Sequence, residues 1–261
     1  MEFKTIKLQL GESMAWINLD RGEVRNALNE TMIHELTEVF EWLEYRDDIR
    51  VIVIKGNGGA FCAGADLNYM RQTAENNFTH NLEDANKLSR LFRSIYYCSK
   101  PVIANVHGAV IGGGNGITAA ADIVIAEENT RFAFSEVRLG LTPATISPFV
   151  LARCGEAVGR ELMLTGRSFT AQEAYNYRLV NEVCSENDMV KAEQRYITHF
   201  LQASPYAIAE CKQLIRHVMG RQDQFDSIFL HTAQAIARQR SSVDGKEGMT
   251  AFLEKRKPYW Q

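Results

Sequence analysis

Two glycine-rich segments, GNGGAFCAGADL (56–67) and GAVIGGGNG (108–116), constrain the fold of this chain more than any other feature. Each follows a short run of β-forming apolar residues, VIVIKG (51–56) and KPVIANV (100–106), and each leads into a helical pattern. Strand, glycine loop and helix in that order put backbone N–H groups at a helix start, where the first donors lack partners and the dipole is positive. Small residues let an acceptor approach those donors closely. Two such N–H groups aimed at one carbonyl oxygen form an oxyanion hole. The same glycines also suit tight turns or close helix packing alone. Neither segment is a GxGxxG dinucleotide fingerprint, and no phosphate-binding GxxxxGK[ST] occurs.

The flanking pattern sets the fold class. Residues 2–10 and 14–19 read as a strand pair. Ile33, Leu36, Val39, Phe40 and Leu43 form a helical stripe within 30–44, and Leu88, Leu91, Phe92 and Ile95 form another within 83–97. A helix is expected near 66–73, and the polar stretch 71–80 reads as a mobile segment with few apolar anchors. DIVIAEE (122–128) and RFAF (131–134) are further strands. Repeated helix–strand–loop–helix units argue an α/β fold with a parallel sheet and crossover helices. Helices are expected at 155–165, 171–176, 187–201, 206–219, 222–240 and 245–255, with a Thr170–Glu173 capping box. The chain therefore divides into a mixed core, 1–200, and a helical region, 201–261.

Charge and cysteine content narrow the function. A net charge of -3 disfavours nucleic acid as a partner. The five cysteines, at 62, 98, 154, 184 and 211, form no CxxC and suggest thiols in a reducing compartment. No basic leader precedes an apolar run, and no window of 18 apolar residues predicts a membrane span. A cytoplasmic protein without a resident metal is the expectation.

Glu136 stands out in FAFSEVRLGLTPATISPF (132–149) as an acid in an apolar ribbon. Such an acid sits at a strand edge facing water, or in an apolar pocket that raises its pKa toward neutrality and suits proton transfer. Arg138 is a possible ion-pair partner for it. Asp66 reads as a helix cap, and His107 as structural or as a neighbour of a site. Asn68, Tyr69 and Arg71 begin the following helix as candidate pocket walls. EKRKPYW (254–260) is a solvated tail or a basic–aromatic clasp for a phosphate and a flat ring.

The blocks RNALN (25–29), FCAGADL (61–67), PVIANVHGAVIGGGNG (101–116), ADIVIA (121–126), SEVRLGLTP (135–143), GREL and LTGRSFTAQEA (within 159–174), LVNEV (179–183) and AFLEKRKP (251–258) together resemble the enoyl-CoA hydratase/isomerase (crotonase) family over nearly the whole chain. The resemblance implies a crotonase-like ββα superhelix in place of an open sheet, with a helical C-terminal region that builds trimers or dimers of trimers. It implies an acyl-CoA thioester substrate, with CoA as part of the substrate and no tightly bound cofactor. By the same resemblance, the N–H groups of Ala65 and Gly113 form the oxyanion hole and Glu136 moves the proton. Arg25, Ala27, Ala63, Asp66 and Leu67 match segments that line the CoA pocket. Phe252 and Lys255 resemble groups that reach CoA, in the same or a neighbouring subunit.

One departure matters. Hydratases of the family commonly carry a second glutamate where this chain has Gly116, in GGGNG rather than GGGCE or GGGLE. Glu136 then works with neutral neighbours such as Asn68, Tyr69 or Asn115 holding the water, or it moves a double bond as single-carboxylate isomerases do. CAGADLNYMR (62–71), SEVRLGLTPATISPFV (135–150) and EGMTAFLEKRKPYW (247–260) further resemble bacterial methylglutaconyl-CoA hydratases, some of which also lack that glutamate. This implies hydration of 3-methylglutaconyl-CoA to 3-hydroxy-3-methylglutaryl-CoA. Straight-chain or isohexenylglutaconyl esters are the other substrates. A distal carboxylate calls for a cation, and Arg71 and Arg138 are the candidates.

Overall fold

A computed structural model describes residues 2–219 and 225–260. Its elements run β1 (Ile6–Leu10), β2 (Met14–Leu19), α1 (Glu30–Glu44), β3 (Val51–Gly56), α2 (Leu67–Glu75), α3 (Phe78–Tyr97), β4 (Val102–Val106), β5 (Ala109–Ile111), α4 (Gly113–Ala120), β6 (Ile123–Glu127) and β7 (Arg131–Ala133). They continue with α5 (Ser147–Thr165), β8 (Ser168–Thr170), α6 (Ala171–Asn176), β9 (Glu182–Cys184), α7 (Met189–Gln202), α8 (Pro205–Val218), α9 (Phe225–Ser241) and α10 (Val243–Leu253).

The strands form two sheets rather than one open sheet. The larger has the order β1-β2-β3-β4-β6-β9 and is parallel after the β1/β2 hairpin. The smaller has the order β5-β7-β8. β4 passes to β5, and β6 to β7, so the chain crosses from the large sheet to the small one before α4 and again before α5. Cys62 bridges Val110 at the corresponding point after β3. This repeated ββα turn is the superhelix that the family resemblance implied.

Central strands buried on both faces explain the apolar runs VIVI and VIAN: Val51, Ile52, Val53 and Ile54 are fully buried, as are Val102, Ile103 and Ala104. The α1 stripe Ile33, Leu36, Val39, Phe40 and Leu43 is buried as its spacing predicts. Asn29 starts that helix by accepting the Met32 N–H, and Thr170 and Glu173 form the expected capping box.

Two expectations change, and a third is seen in part. The stretch 71–80 is helical: α2 extends to Glu75 and α3 begins at Phe78, with Asn77 accepting the His80 N–H as its cap. Its anchors are nonlocal, because α10 and α9 pack on α2. α5 begins at Ser147, upstream of the expected 155, with Pro148 in its first turn, where a missing N–H is tolerated, and a break at Gly155 (φ 74°). The expected helix 222–240 is seen as α9 from Phe225, and residues 222–224 lie outside the described residues.

The last two helices turn back over the core. Phe229 joins the main apolar cluster, and Ala233 and Ile236 pack with Ala85 and Ala144. α10 lies on the 3-10 turn Ser135–Leu139 that carries Glu136. Gly140 and Gly248 permit this: a Cβ on Gly140 would run into the Asp244 backbone, and one on Gly248 into the Leu139 carbonyl.

Candidate active site

The two glycine loops meet. Gly64 (φ 96°) and Gly112 (φ 50°) each precede a proposed oxyanion residue, and both adopt backbone that glycine alone tolerates freely. Such a turn reorients the next peptide, so the Ala65 and Gly113 N–H groups leave the strand direction. Gly113 is the first residue of α4, where an N–H has no partner within the helix. Neither N–H donates a hydrogen bond to another described residue. The loops touch closely enough that a Cβ on Gly112 would lie 3.9 Å from Gly64 Cα and 3.3 Å from Glu136 Oε1. Glu136 therefore converges on the two loops from a third segment.

Glu136 sits in an apolar setting. Burial pushes its carboxyl up to about 7, against a smaller lowering by its own backbone N–H. Its Oε2 is buried and has no partner among the described residues. The ion pair that Arg138 offered does not form among the described residues, and Arg138 is exposed. Thr142 Oγ1 is a second buried, unpartnered atom. Both residues line one cavity of about 1090 Å³, together with Ala65, Gly113, Tyr69, Leu88, Leu139 and Ile146.

The place of the second carboxylate is occupied by hydrocarbon. A Cβ on Gly116 would lie 2.6 Å from Phe92 Cε1 and 2.7 Å from Ile146 Cγ2. A glutamate there would displace both side chains.

Of the expected CoA-pocket residues, Arg25, Ala27, Ala63, Asp66, Leu67 and Phe252 line the cavity. Arg25 holds a left-handed backbone (φ 53°) and is exposed. Asp66 caps α2, accepting the Asn68 and Tyr69 N–H groups, and pairs with Arg21 at 2.8 Å. Burial raises its carboxyl, but Arg21 and the two amides outweigh that and hold it below the usual carboxylate range. Lys255 does not line the cavity of its own protomer. His107 faces the Gly58 carbonyl at 2.7 Å and also lies outside it.

Asn115 requires a correction. Its amide donates to the Val110 carbonyl at 3.0 Å and the Ala133 carbonyl at 2.9 Å, and the residue is 3% exposed. Both amide protons are thus engaged in tying α4 to β5 and β7, and Asn115 is absent from the cavity wall. Tyr69 does reach the wall, but its hydroxyl already donates to Asp84. Sequence reasoning missed three residues here. Thr142 lay unremarked in the apolar ribbon, Arg21 is 45 positions from its partner Asp66, and Arg240 is 156 positions from Asp84. A search for polar residues interrupting apolar runs would have found Thr142; nothing local signals the other two.

The loops, the buried carboxyl and the cavity define a site that polarises a carbonyl and moves a proton beside it. The sequence matches the enoyl-CoA hydratase/isomerase family over residues 9–261, and the chain belongs to that family. It is 31% identical to the short-chain-enoyl-CoA hydratase of Clostridium acetobutylicum, covering 98% of this chain and 97% of that one. It is 32% identical to the 2,3-dehydroadipyl-CoA hydratase of Escherichia coli, covering 93% and 92%. The crystal structure of an enoyl-CoA hydratase from Shewanella pealeana superposes with a TM-score of 0.82 at 39% identity, covering 99% and 97%. Enoyl-CoA hydratase-type lyase chemistry on a thioester follows from this membership. Among the described residues, no cluster of histidine, cysteine or acidic side chains is arranged to hold a metal ion, and no helix is long and apolar enough to cross a membrane.

Proposed function

We propose that this protein adds water across the 2,3 double bond of an enoyl-CoA, with Glu136 as its one catalytic carboxylate. The observation that carries the reading is the buried, unpartnered Glu136 Oε2, whose residue lines the same cavity as Ala65, Gly113 and Thr142. A buried polar atom calls for a partner, and the substrate water beside Glu136 supplies one. The thioester oxygen accepts the Ala65 and Gly113 N–H groups, which stabilise the enolate as negative charge develops. The water oxygen bonds to C3 while its proton passes to Glu136. Glu136 returns a proton to C2, and the 3-hydroxyacyl-CoA leaves with atoms and charge balanced. A carboxyl near pKa 7 both accepts and donates efficiently at neutral pH. Arg25, Ala27, Ala63, Asp66, Leu67 and Phe252 flank the CoA moiety in this reading, and Lys255 serves a neighbouring subunit.

Within this class, 3-methylglutaconyl-CoA is the first branched substrate to test beside straight-chain enoyl-CoA. A second reading, a double-bond isomerase, is favoured by the hydrocarbon wall that Phe92 and Ile146 build at Gly116. Moving a proton from C2 to C4 needs one base and no water. Purified protein is offered crotonyl-CoA, 3-methylglutaconyl-CoA and a 3-enoyl-CoA, and absorbance of the conjugated thioester is followed. Loss of absorbance with the first two supports hydration; turnover of the 3-enoyl ester alone overturns it.

The core 1–200 and the helices of 201–261 act together in this proposal. α8 buries none of its residues and exposes Tyr206, Leu214, Ile215 and Val218. We assign this apolar face to contact with further copies of the chain, in a trimer or a dimer of trimers. A cytoplasmic location fits the five unpaired thiols.

A further inference from the structure

Five arginines line the cavity: Arg25, Arg71, Arg138, Arg240 and Arg256. Four are exposed, and Arg240 alone is buried, at 9%. Arg71, a sequence-based candidate for a distal carboxylate, is exposed and donates to Asn68 Oδ1. The other candidate, Arg138, is exposed as well. A guanidinium shielded from water makes stronger and more selective charge-assisted bonds than a solvated one.

α9 delivers Arg240 one turn beyond Ile236, which packs with Ala85 and Leu141. Its Nη1 donates to Asp84 Oδ2 at 2.5 Å, and the Tyr69 hydroxyl donates to Asp84 Oδ1. Asp84 therefore has a donor on each oxygen and holds both Tyr69 and Arg240 at the wall. Among the described residues, Nε and Nη2 of Arg240 have no hydrogen-bond partner, and neither is a fully sealed atom. Donors left open beside a buried ion pair are available to an acceptor that enters the cavity. Tyr69 stands four residues after Ala65, on the first turn of α2, so Asp84 ties Arg240 to the helix that follows the Ala65 loop.

We propose that Arg240, positioned by Asp84 and Tyr69, selects acyl-CoA esters whose short acyl chain ends in a carboxylate. The two free guanidinium donors face that carboxylate as a fork, the geometry arginine supplies and lysine does not. The proposal deepens the hydratase reading and takes the CoA-ester character of the substrate from it.

Saturated esters separate the two claims, because they bind without being hydrated. Isothermal titration of the full chain with glutaryl-CoA and butyryl-CoA should show a preference for glutaryl-CoA of at least about tenfold, the gain expected from a hydrogen-bonded charge pair. Arg240→Gln should bring the ratio of affinities to about one. Arg240→Lys keeps a cation for Asp84 and loses the fork, so it should cut the ratio at least about threefold even if the glutamine variant fails to fold. Equal affinities in the unmodified protein, an unchanged ratio in Arg240→Lys, or equal weakening of both esters in Arg240→Gln would overturn the assignment. Failure to hydrate any enoyl-CoA would remove the proposed reaction and leave this comparison intact.

Discussion

Replacing Glu136 with glutamine should make the protein more stable while removing its catalysis. Burial raises the Glu136 carboxyl from 4.5 to about 7, and no cation offsets it. An unfolded chain ionises near 4.5, so between that pH and 7 unfolding releases a proton that the native state keeps. Stability contributed by this group is thus full below pH 4.5, declines as pH rises, and levels off above pH 7. At about 1.4 kcal/mol for each tenfold change in proton concentration, the full loss is roughly 3 kcal/mol. A glutamine escapes that loss but leaves its own amide partly unpaired, at a cost of about 1–2 kcal/mol. The net gain at pH 8 is about 1–2 kcal/mol, or roughly 2–8 °C in Tm for a chain of this size. Thermal unfolding of both proteins at pH 5 and pH 8 tests it, with hydration of crotonyl-CoA measured alongside. The variant should melt higher at pH 8, converge with the unmodified protein at pH 5, and lose at least about 100-fold in kcat. A lower or pH-independent Tm difference would refute the burial argument, and retained activity would refute the proton-transfer role.

Gly116→Glu, the substitution that restores the two-carboxylate pattern, should destabilise by about 3 kcal/mol or more, because it both overpacks Phe92 and buries a charge. Combined with Phe92→Ala, it should be less harmful than the two single effects predict, by at least about 1 kcal/mol in a double-mutant cycle of thermal unfolding. Asn115→Leu should cost about 1–3 kcal/mol in denaturant unfolding by removing a donor from the Val110 carbonyl and leaving the Ala133 carbonyl with only the Gly112 N–H, yet kcat per folded molecule should stay within about threefold. Joint replacement of Leu214 and Ile215 with aspartate should yield a smaller species in sedimentation velocity; an unchanged coefficient would remove α8 from the assembly surface.

Much of the fold was legible because its signals are local. The buried runs at 51–56 and 100–106, the α1 stripe and the Thr170–Glu173 box depend on neighbours within a few positions, and each appears as expected. The glycine loops and Glu136 also announced themselves by composition. Where expectation failed, the determinants were distant. Residues 71–80 have few apolar anchors of their own and are held by helices from the far end of the chain. Asn115 carries the right chemistry for holding water, but two carbonyls from β5 and β7 take its protons first.

By itself, then, the sequence determined the strand–loop–helix order, the two donor-bearing glycine turns and the presence of a single acid among apolar residues. Periodicity, backbone freedom and composition are properties of short segments, and they survive without knowledge of the fold. Tertiary structure alone decided that the two turns meet beside Glu136 and that burial without a cation brings its carboxyl near neutrality. It also decided that Phe92 and Ile146 occupy the place beyond Gly116, and that Arg240 rather than Arg71 is the buried one of the arginines lining the cavity. Solvation, steric exclusion and charge pairing depend on which surfaces are brought together, and here those surfaces come from segments far apart in the chain.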